Sequence, residues 1–241
     1  MLVYTQNFIL ENCESIPAST VGKVLSALTN MVKDVVIRRS LVASPQLWSA
    51  AIGSFSRLEH SKSADSADLI LNLMGLLHNL TFEKHALVSE HAETLSNKIS
   101  IYLKEKNGSD LFLRALSLFS NLVSRYETAA LVLVEYTERL MTLLKHPNDQ
   151  LVRTAAKCLA ALSERVGDTK FRIVKADRSL QSVAGLLQHE AEEARGNGAL
   201  ILSNCVSLLD SEPIELIGPL LKVVDQAKSE SVRKNAAIAV G

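Results

Sequence analysis

The sequence predicts an all-α solenoid, and three observations predict it. The first is composition. Of 241 residues, 39 are leucine and 25 alanine, against 10 glycines, 5 prolines and 5% aromatics, a mixture that favours helix strongly over sheet. The second is a recurring asparagine in an apolar setting: Leu28-Thr29-Asn30-Met31, Leu77-His78-Asn79-Leu80, Phe119-Ser120-Asn121-Leu122 and Leu202-Ser203-Asn204-Cys205. Leu162-Ser163-Glu164-Arg165 holds the same place with glutamate for asparagine. The markers at 30, 79, 121, 164 and 204 are spaced 49, 42, 43 and 40, the period of stacked helical repeats. The third is a Val-Arg pair followed by small residues, Val152-Arg153-Thr154-Ala155-Ala156 and Val232-Arg233-Lys234-Asn235-Ala236, with Arg195 at the corresponding place between them.

The units follow in order: a leading third helix at 17–32, then 33–81, 82–123, 124–167, 168–207 and a partial unit from 208. Ser44-Pro45 reads as a cap and first helical residue, and Ser211-Glu212-Pro213 reads similarly. Trp48, the single tryptophan, falls on a second helix and is expected in the core. His60 to Ser66 is the most polar connection and the expected mobile loop, and Gly108 stands where a helix ends. After Asn121 comes a short apolar stretch, Ala129 to Val134, then a helix from Tyr136 to Lys145 carrying Leu140, Leu143 and Leu144. His146-Pro147-Asn148-Asp149 breaks the chain, with Asp149 as the expected cap of a helix at about 150–166. That helix places Val152, Ala155, Ala156, Leu159 and Leu162 on one face. The next unit repeats the plan: Phe171 to Lys175, Ser179 to Gln188, a break at His189-Glu190, then about 191–207.

Three helices per unit, the first short, is the expected design. No break in composition marks a domain boundary, so residues 1–241 are expected to form one repeat domain. Each unit alone exposes an apolar face that stacking buries in a continuous core, one leucine contributing roughly 1.5–3 kcal/mol. The apolar ending Ala236 to Gly241 implies a piece of a longer protein or a partner that covers the end.

Little in the chain points to chemistry. Lys and Arg number 26, as do Asp and Glu, so bulk electrostatic capture of nucleic acid or an anionic membrane has no support. Cys13, Cys158 and Cys205 are far apart and odd in number, which gives neither a disulfide framework nor a metal pair. They fit a reducing compartment, cytoplasmic or also nuclear. The start, Met1 to Thr5, lacks a secretory pattern. The uncharged run Ser40 to Ser56 is too short and too broken to span a membrane. The glycosylation acceptor patterns at Asn79 and Asn107 are discounted. His78, His85 and His91 are the densest histidines, but their gaps of 7 and 6 do not share a helix face. Gly196-Asn197-Gly198 lacks the strand and third glycine of a phosphate loop and suits close helix packing. The expectation is no enzyme, no metal, no cofactor and no small-molecule substrate. Lys23, Lys33, Arg38, Arg39 and Arg57 make the first quarter basic, which reads either as a contact for an acidic partner or as a solvated face.

Two stretches resemble armadillo repeats. One is Asp168-Thr169-Lys170-Phe171-Arg172-Ile173-Val174-Lys175-Ala176, through Leu186-Leu187 to Leu202-Ser203-Asn204; the other is Leu131-Val132-Leu133-Val134-Glu135, through Leu143-Leu144 to Ala161-Leu162-Ser163. The resemblance covers nearly the whole chain from about Pro17. It implies a right-handed α-solenoid of about five armadillo-like three-helix repeats with truncated ends. The family's paired glycines after the first helix are absent, with Tyr136-Thr137 and Asp177-Arg178 in that turn, so a HEAT-like or mixed solenoid stays open.

In that family the third helices line the concave groove. The resemblance therefore implies that Asn30, Asn79, Asn121 and Asn204, with Glu164 between the last two, form a row that pairs with the backbone of an extended peptide, an amide being both donor and acceptor. The alternative is that these side chains bridge or cap neighbouring helices. Importin-type members carry tryptophan four residues earlier; here those places hold Ser26, Gly75, Ser117, Ala160 and Leu200, which speaks against recognition of nuclear-localisation signals. A rival stripe, Arg114, Arg153, Arg195 and Arg233, either binds acidic segments or pairs with acidic residues of the adjacent repeat. The implied function is a protein–protein interaction scaffold or adaptor for a peptide or protein partner. The alternatives are a helical-repeat nucleic-acid-binding protein or enzyme, and a structural spacer in a larger protein.

Overall fold

A computed structural model describes residues 8–60, 65–104, 109–209 and 214–240. Outside it lie the start of the chain, most of the polar connection from His60 to Ser66, the helix end at Gly108, the expected cap at Ser211-Glu212-Pro213, and Gly241. Every regular element among the described residues is helical. The chain forms two compact units, Met1–Leu122 and Val123–Gly241.

In the first unit, α1 (Ala18–Met31) is the expected leading third helix, followed by α2 (Val35–Val42), α3 (Pro45–His60) and α4 (Ser66–Leu80). The Asp34 carboxylate caps α2 by accepting from the backbone N–H of Val36 at 2.8 Å and of Ile37 at 3.0 Å. Ser44 caps α3 through its hydroxyl, which accepts from Leu47 N–H at 3.3 Å, with Pro45 at the first helical position. Trp48 is fully buried, and its indole N–H donates to the Val42 carbonyl at 2.9 Å. The next unit departs from the three-helix plan. One helix, α5 (Ala86–Ser100), runs into a 3-10 turn (Ile101–Lys104) and is followed by α6 (Asp110–Val123). The reason is local: residues 86–100 contain neither glycine nor proline, and Val88, Ala92, Leu95 and Ile99 make one unbroken buried stripe. This repeat, 82–123, is thus a two-helix hairpin among three-helix repeats.

The second unit keeps the plan. Its elements are α7 (Glu127–Leu133), a 3-10 turn (Val134–Tyr136), α8 (Thr137–Leu143) and α9 (Asp149–Arg165); then α10 (Gly167–Ala176), α11 (Gln181–Ala184) with a 3-10 extension (Gly185–Gln188) and α12 (Glu192–Cys205); then α13 (Ile214–Gln226) and α14 (Glu230–Val240). The cap of α9 is Asn148 rather than Asp149. Its side-chain oxygen accepts from Gln150 N–H at 3.0 Å and Leu151 N–H at 3.3 Å, which leaves the Asp149 carboxylate free for other partners. Val152, Ala155, Ala156, Leu159 and Leu162 are all buried, as their spacing predicts.

The missing glycines have a structural answer. Val134–Tyr136 passes from α7 to α8 through the 3-10 turn. Between α10 and α11, Leu180 adopts the left-handed conformation at φ 53° and ψ 21°, the one non-glycine residue to do so among the described residues. The cost is roughly 1–2 kcal/mol. It is offset by complete burial of the leucine side chain and by Asp177, whose carboxylate accepts from Ser182 N–H at 2.7 Å and from the Ser179 hydroxyl at 3.2 Å. Burial would raise the Asp177 carboxyl, but the bonds donated by Ser182, Ser179 and Gln181 outweigh it and hold the group below the usual carboxylate range.

Third helices pack on third helices: α1 against α4 in the first unit, and α9 against α12 and α12 against α14 in the second. Gly196 permits the last of these approaches: a Cβ there would stand 2.7 Å from a Val232 methyl. Gly198 lets the 3-10 extension of α11 approach α12, since a Cβ there would stand 2.7 Å from the Leu186 Cβ.

Candidate functional site

A helix leaves its last four carbonyls without intrahelical partners. At the end of α1, the carbonyls of Leu28, Asn30 and Met31 accept from the backbone N–H of Val32, Lys33 and Asp34. Thr29 is passed over, and the amide of Asn79, fifty residues on, donates to its carbonyl at 3.3 Å. The end of α4 repeats the arrangement. Leu77, Asn79 and Leu80 receive the N–H of Thr81, Phe82 and Glu83, while the His78 carbonyl accepts from the Thr81 hydroxyl at 2.8 Å and from the Asn121 amide at 3.3 Å. Asn121 also reaches the Thr81 hydroxyl at 3.3 Å. In the second unit the Asn204 amide donates to the Ser163 hydroxyl at 3.0 Å.

Asn79, Asn121 and Asn204 therefore each reach the residue just before the preceding marker: Thr29 before Asn30, His78 before Asn79, Ser163 before Glu164. Within each unit these bonds tie a third helix to the one before it. Exposure differs among the markers. Asn30 is exposed, with its side-chain oxygen accepting from the Lys33 ammonium at 2.9 Å; Asn79 and Asn204 are half-buried; Asn121 is 6% exposed; Glu164 is exposed. One N–H spent on a bridge leaves an asparagine amide a second N–H and an oxygen. At half-buried Asn79 and Asn204 those groups have a route to solvent, and at Asn121 they do not. Thr29, His78 and Ser163 are partners that sequence reasoning passed over, although each sits at a constant offset beside a residue it singled out.

The arginine stripe divides. Arg195 donates through Nη1 to the carbonyls of His189 at 2.7 Å and Glu190 at 2.8 Å. Arg233 does the same to Ala227 at 2.8 Å and Lys228 at 2.9 Å. Both clasp the turn that precedes their own helix, six and five residues back, and neither pairs with a carboxylate of a neighbouring repeat. Arg153 pairs instead with Asp149 at 2.7 Å, and Asp149 joins its repeat to the next by accepting from His189 Nε2 at 3.0 Å. His189 Nδ1 accepts from Ala191 N–H at 3.0 Å, which puts the ring proton on Nε2. Arg114 is exposed.

The basic first quarter is partly spent inside the unit. Arg38 and Arg39 share Glu83 at 2.8 and 3.4 Å, and the Arg38 bond holds the Glu83 carboxyl below the usual carboxylate range. Arg57 donates to the Leu10 carbonyl at 2.9 Å. Lys23, Lys33 and Arg39 stay exposed.

All three cysteines are buried free thiols. Burial pushes the Cys158 and Cys205 thiols up to about 12, the reverse of what a nucleophile needs. Among the described residues there is no group of three or more metal-ligating side chains, and no helix is long and apolar enough to cross a membrane.

No family model matches the chain. Its sequence is 24% identical over 238 residues to human tetratricopeptide repeat protein 12, across 93% of this chain and 32% of that protein. The mouse protein of the same name is also 24% identical, over 230 residues. The chain spans about a third of the length of these curated relatives. Among solved structures, the designed armadillo repeat protein YIII(Dq)4CqI superposes with a TM-score of 0.72 at 16% identity, covering 97% of this chain and 98% of that one. A related design, solved in complex with the peptide (KR)4, superposes with a TM-score of 0.69 at 16% identity, covering 97% of each. The fold is the all-α solenoid of armadillo repeat proteins.

Proposed function

We propose that the chain is a non-enzymatic interaction module of a reducing, cytoplasmic compartment, and that an extended segment of a protein partner lies along its third helices. The observation that carries this reading is the repeated placement of a marker side chain beside the preceding marker, one helix apart. A designed relative in fold is solved in complex with the peptide (KR)4. In the first unit Asn30 and Asn79 supply the amides, the free N–H groups of both and the oxygen of Asn79 pairing with peptide bonds at about 0.5–1.5 kcal/mol each. Asn121, nearly buried and spent on His78 and Thr81, holds the helices in register. In the second unit Asn204 is the pairing amide and Glu164 the acidic neighbour. With no tryptophan four residues earlier, specificity comes from partner side chains meeting the small residues Ser26 and Ser117 rather than an aromatic platform.

The test is selection from a displayed library of extended random peptides, followed by affinity measurement on Asn30→Ala, Asn79→Ala and the double variant. We expect each single change to weaken binding up to about tenfold with unchanged melting for Asn30→Ala. Enrichment of nothing, or equal affinity in the double variant, would overturn the reading.

A further inference from the structure

The second unit contains a cleft that takes no part in the third-helix row. It encloses about 640 Å³ between the end of one second helix, at Leu187 and Gln188, and the α13 face that carries Gly218, Pro219, Lys222 and Gln226, with Arg195 at its side. Gly218 faces open space in it, and a Cβ there would meet nothing within 4 Å. Its volume is in the range of pockets that hold small ligands or short peptide segments.

The chemistry of the lining is one-sided. In a chain with equal numbers of acids and bases, this cleft presents Arg195 and Lys222 and, among the described residues, no carboxylate. Among the described residues neither cation forms an ion pair. The Arg195 guanidinium is held in place by two carbonyls through Nη1 alone, so other N–H donors remain. His189 directs its Nε2 to Asp149, whose charge Arg153 also meets. Leu187, Pro219 and Val223 add apolar surface, and Gln188 and Gln226 add amides that both donate and accept.

We propose that this cleft binds a short acidic peptide segment, with a carboxylate between Arg195 and Lys222 and an adjacent apolar side chain on Leu187, Pro219 and Val223. The two glutamine amides suit a peptide backbone, which needs both partners, and bare anions do not. The site is independent of the asparagine row.

The experiment uses the full chain and a fluorescein-labelled peptide of alternating leucine and glutamate, with glutamine replacing glutamate in the control. Anisotropy should give at least about tenfold tighter binding of the acidic peptide, weakening as salt is raised. Lys222→Glu, an exposed change, should lose about tenfold. Gly218→Leu, which fills the cleft, should abolish binding with unchanged circular dichroism, whereas the Asn30→Ala, Asn79→Ala double variant should bind as wild type does. Equal affinity for the two peptides, indifference to Lys222→Glu, or no binding at millimolar peptide overturns the proposal. So does micromolar displacement by inorganic phosphate, which would make the cleft a free-oxyanion site.

Discussion

The first unit joins its third helices by reach and the second by contact. In the first, an asparagine amide crosses to a carbonyl at the end of the preceding third helix, and a Cβ on Gly75 would meet nothing nearer than 3.9 Å. In the second, Asn204 meets a hydroxyl, while Gly196 on α12 sits so close to Val232 on α14 that a methyl does not fit. The same marker thus serves two packing regimes. Where helices leave room for a side chain, a directional bond sets their register; where backbones touch, shape does.

The comparison can be broken in graded ways. Leu159→Asp puts an unpaired charge at a fully buried position of α9 and should cost at least about 4 kcal/mol, seen as loss of cooperative melting in the second unit. Gly196→Ala meets a Val232 methyl at 2.7 Å; it should destabilise by about 1–3 kcal/mol. Asn121→Ala removes the amide from the His78 carbonyl and the Thr81 hydroxyl at a nearly buried site and should cost about 1–2 kcal/mol in denaturant titration. Gly75→Ala should do the reverse, stabilising by about 0.4–1 kcal/mol, because its site has room and a helix interior prefers alanine. Opposite signs for Gly75→Ala and Gly196→Ala are the sharpest check; like signs would dissolve the contrast.

The smallest effect is pH-dependent. Asp177 has a folded-state carboxyl held below its ordinary value, so its stabilisation is full above the unfolded pKa of about 4 and fades as pH falls through the lower folded value. The melting-temperature gap between wild type and Asp177→Ala should therefore be widest near neutrality and close toward about pH 2. A gap that widens on acidification would remove the Asp177 turn as a support of Leu180.

Much of the fold was legible. Marker spacing placed α1, α4, α6, α9 and α12, and the 3.6-residue period named the buried face of α9. The fused α5 was harder, because the expectation of a short first helix was carried over from neighbouring units while residues 86–100 hold no breaker. The α9 cap moved by one residue because Asn148 and Asp149 are both capable caps and only the backbone path selects between them. At the candidate site, the sequence singled out the asparagines and named both of their possible roles. It did not reveal that the Thr29 and His78 carbonyls are the ones the amides reach, since that depends on which backbone N–H groups fold back after each helix. The arginines were legible as a series, but their carbonyl clasps were not, because backbone acceptors leave no mark in side-chain identity.

What the sequence by itself determined is the helical class, the period and the identity of the residues that recur, since these follow from local propensity and from the spacing at which apolar side chains share a face. Tertiary structure alone decided which amide reaches which carbonyl, which glycines are pressed against a neighbour, and that Gly218 and Lys222 border an open cationic cleft. The physical reason is that periodicity is written along one chain, whereas a hydrogen bond or a void is a relation between residues forty positions apart, settled only when helices pack.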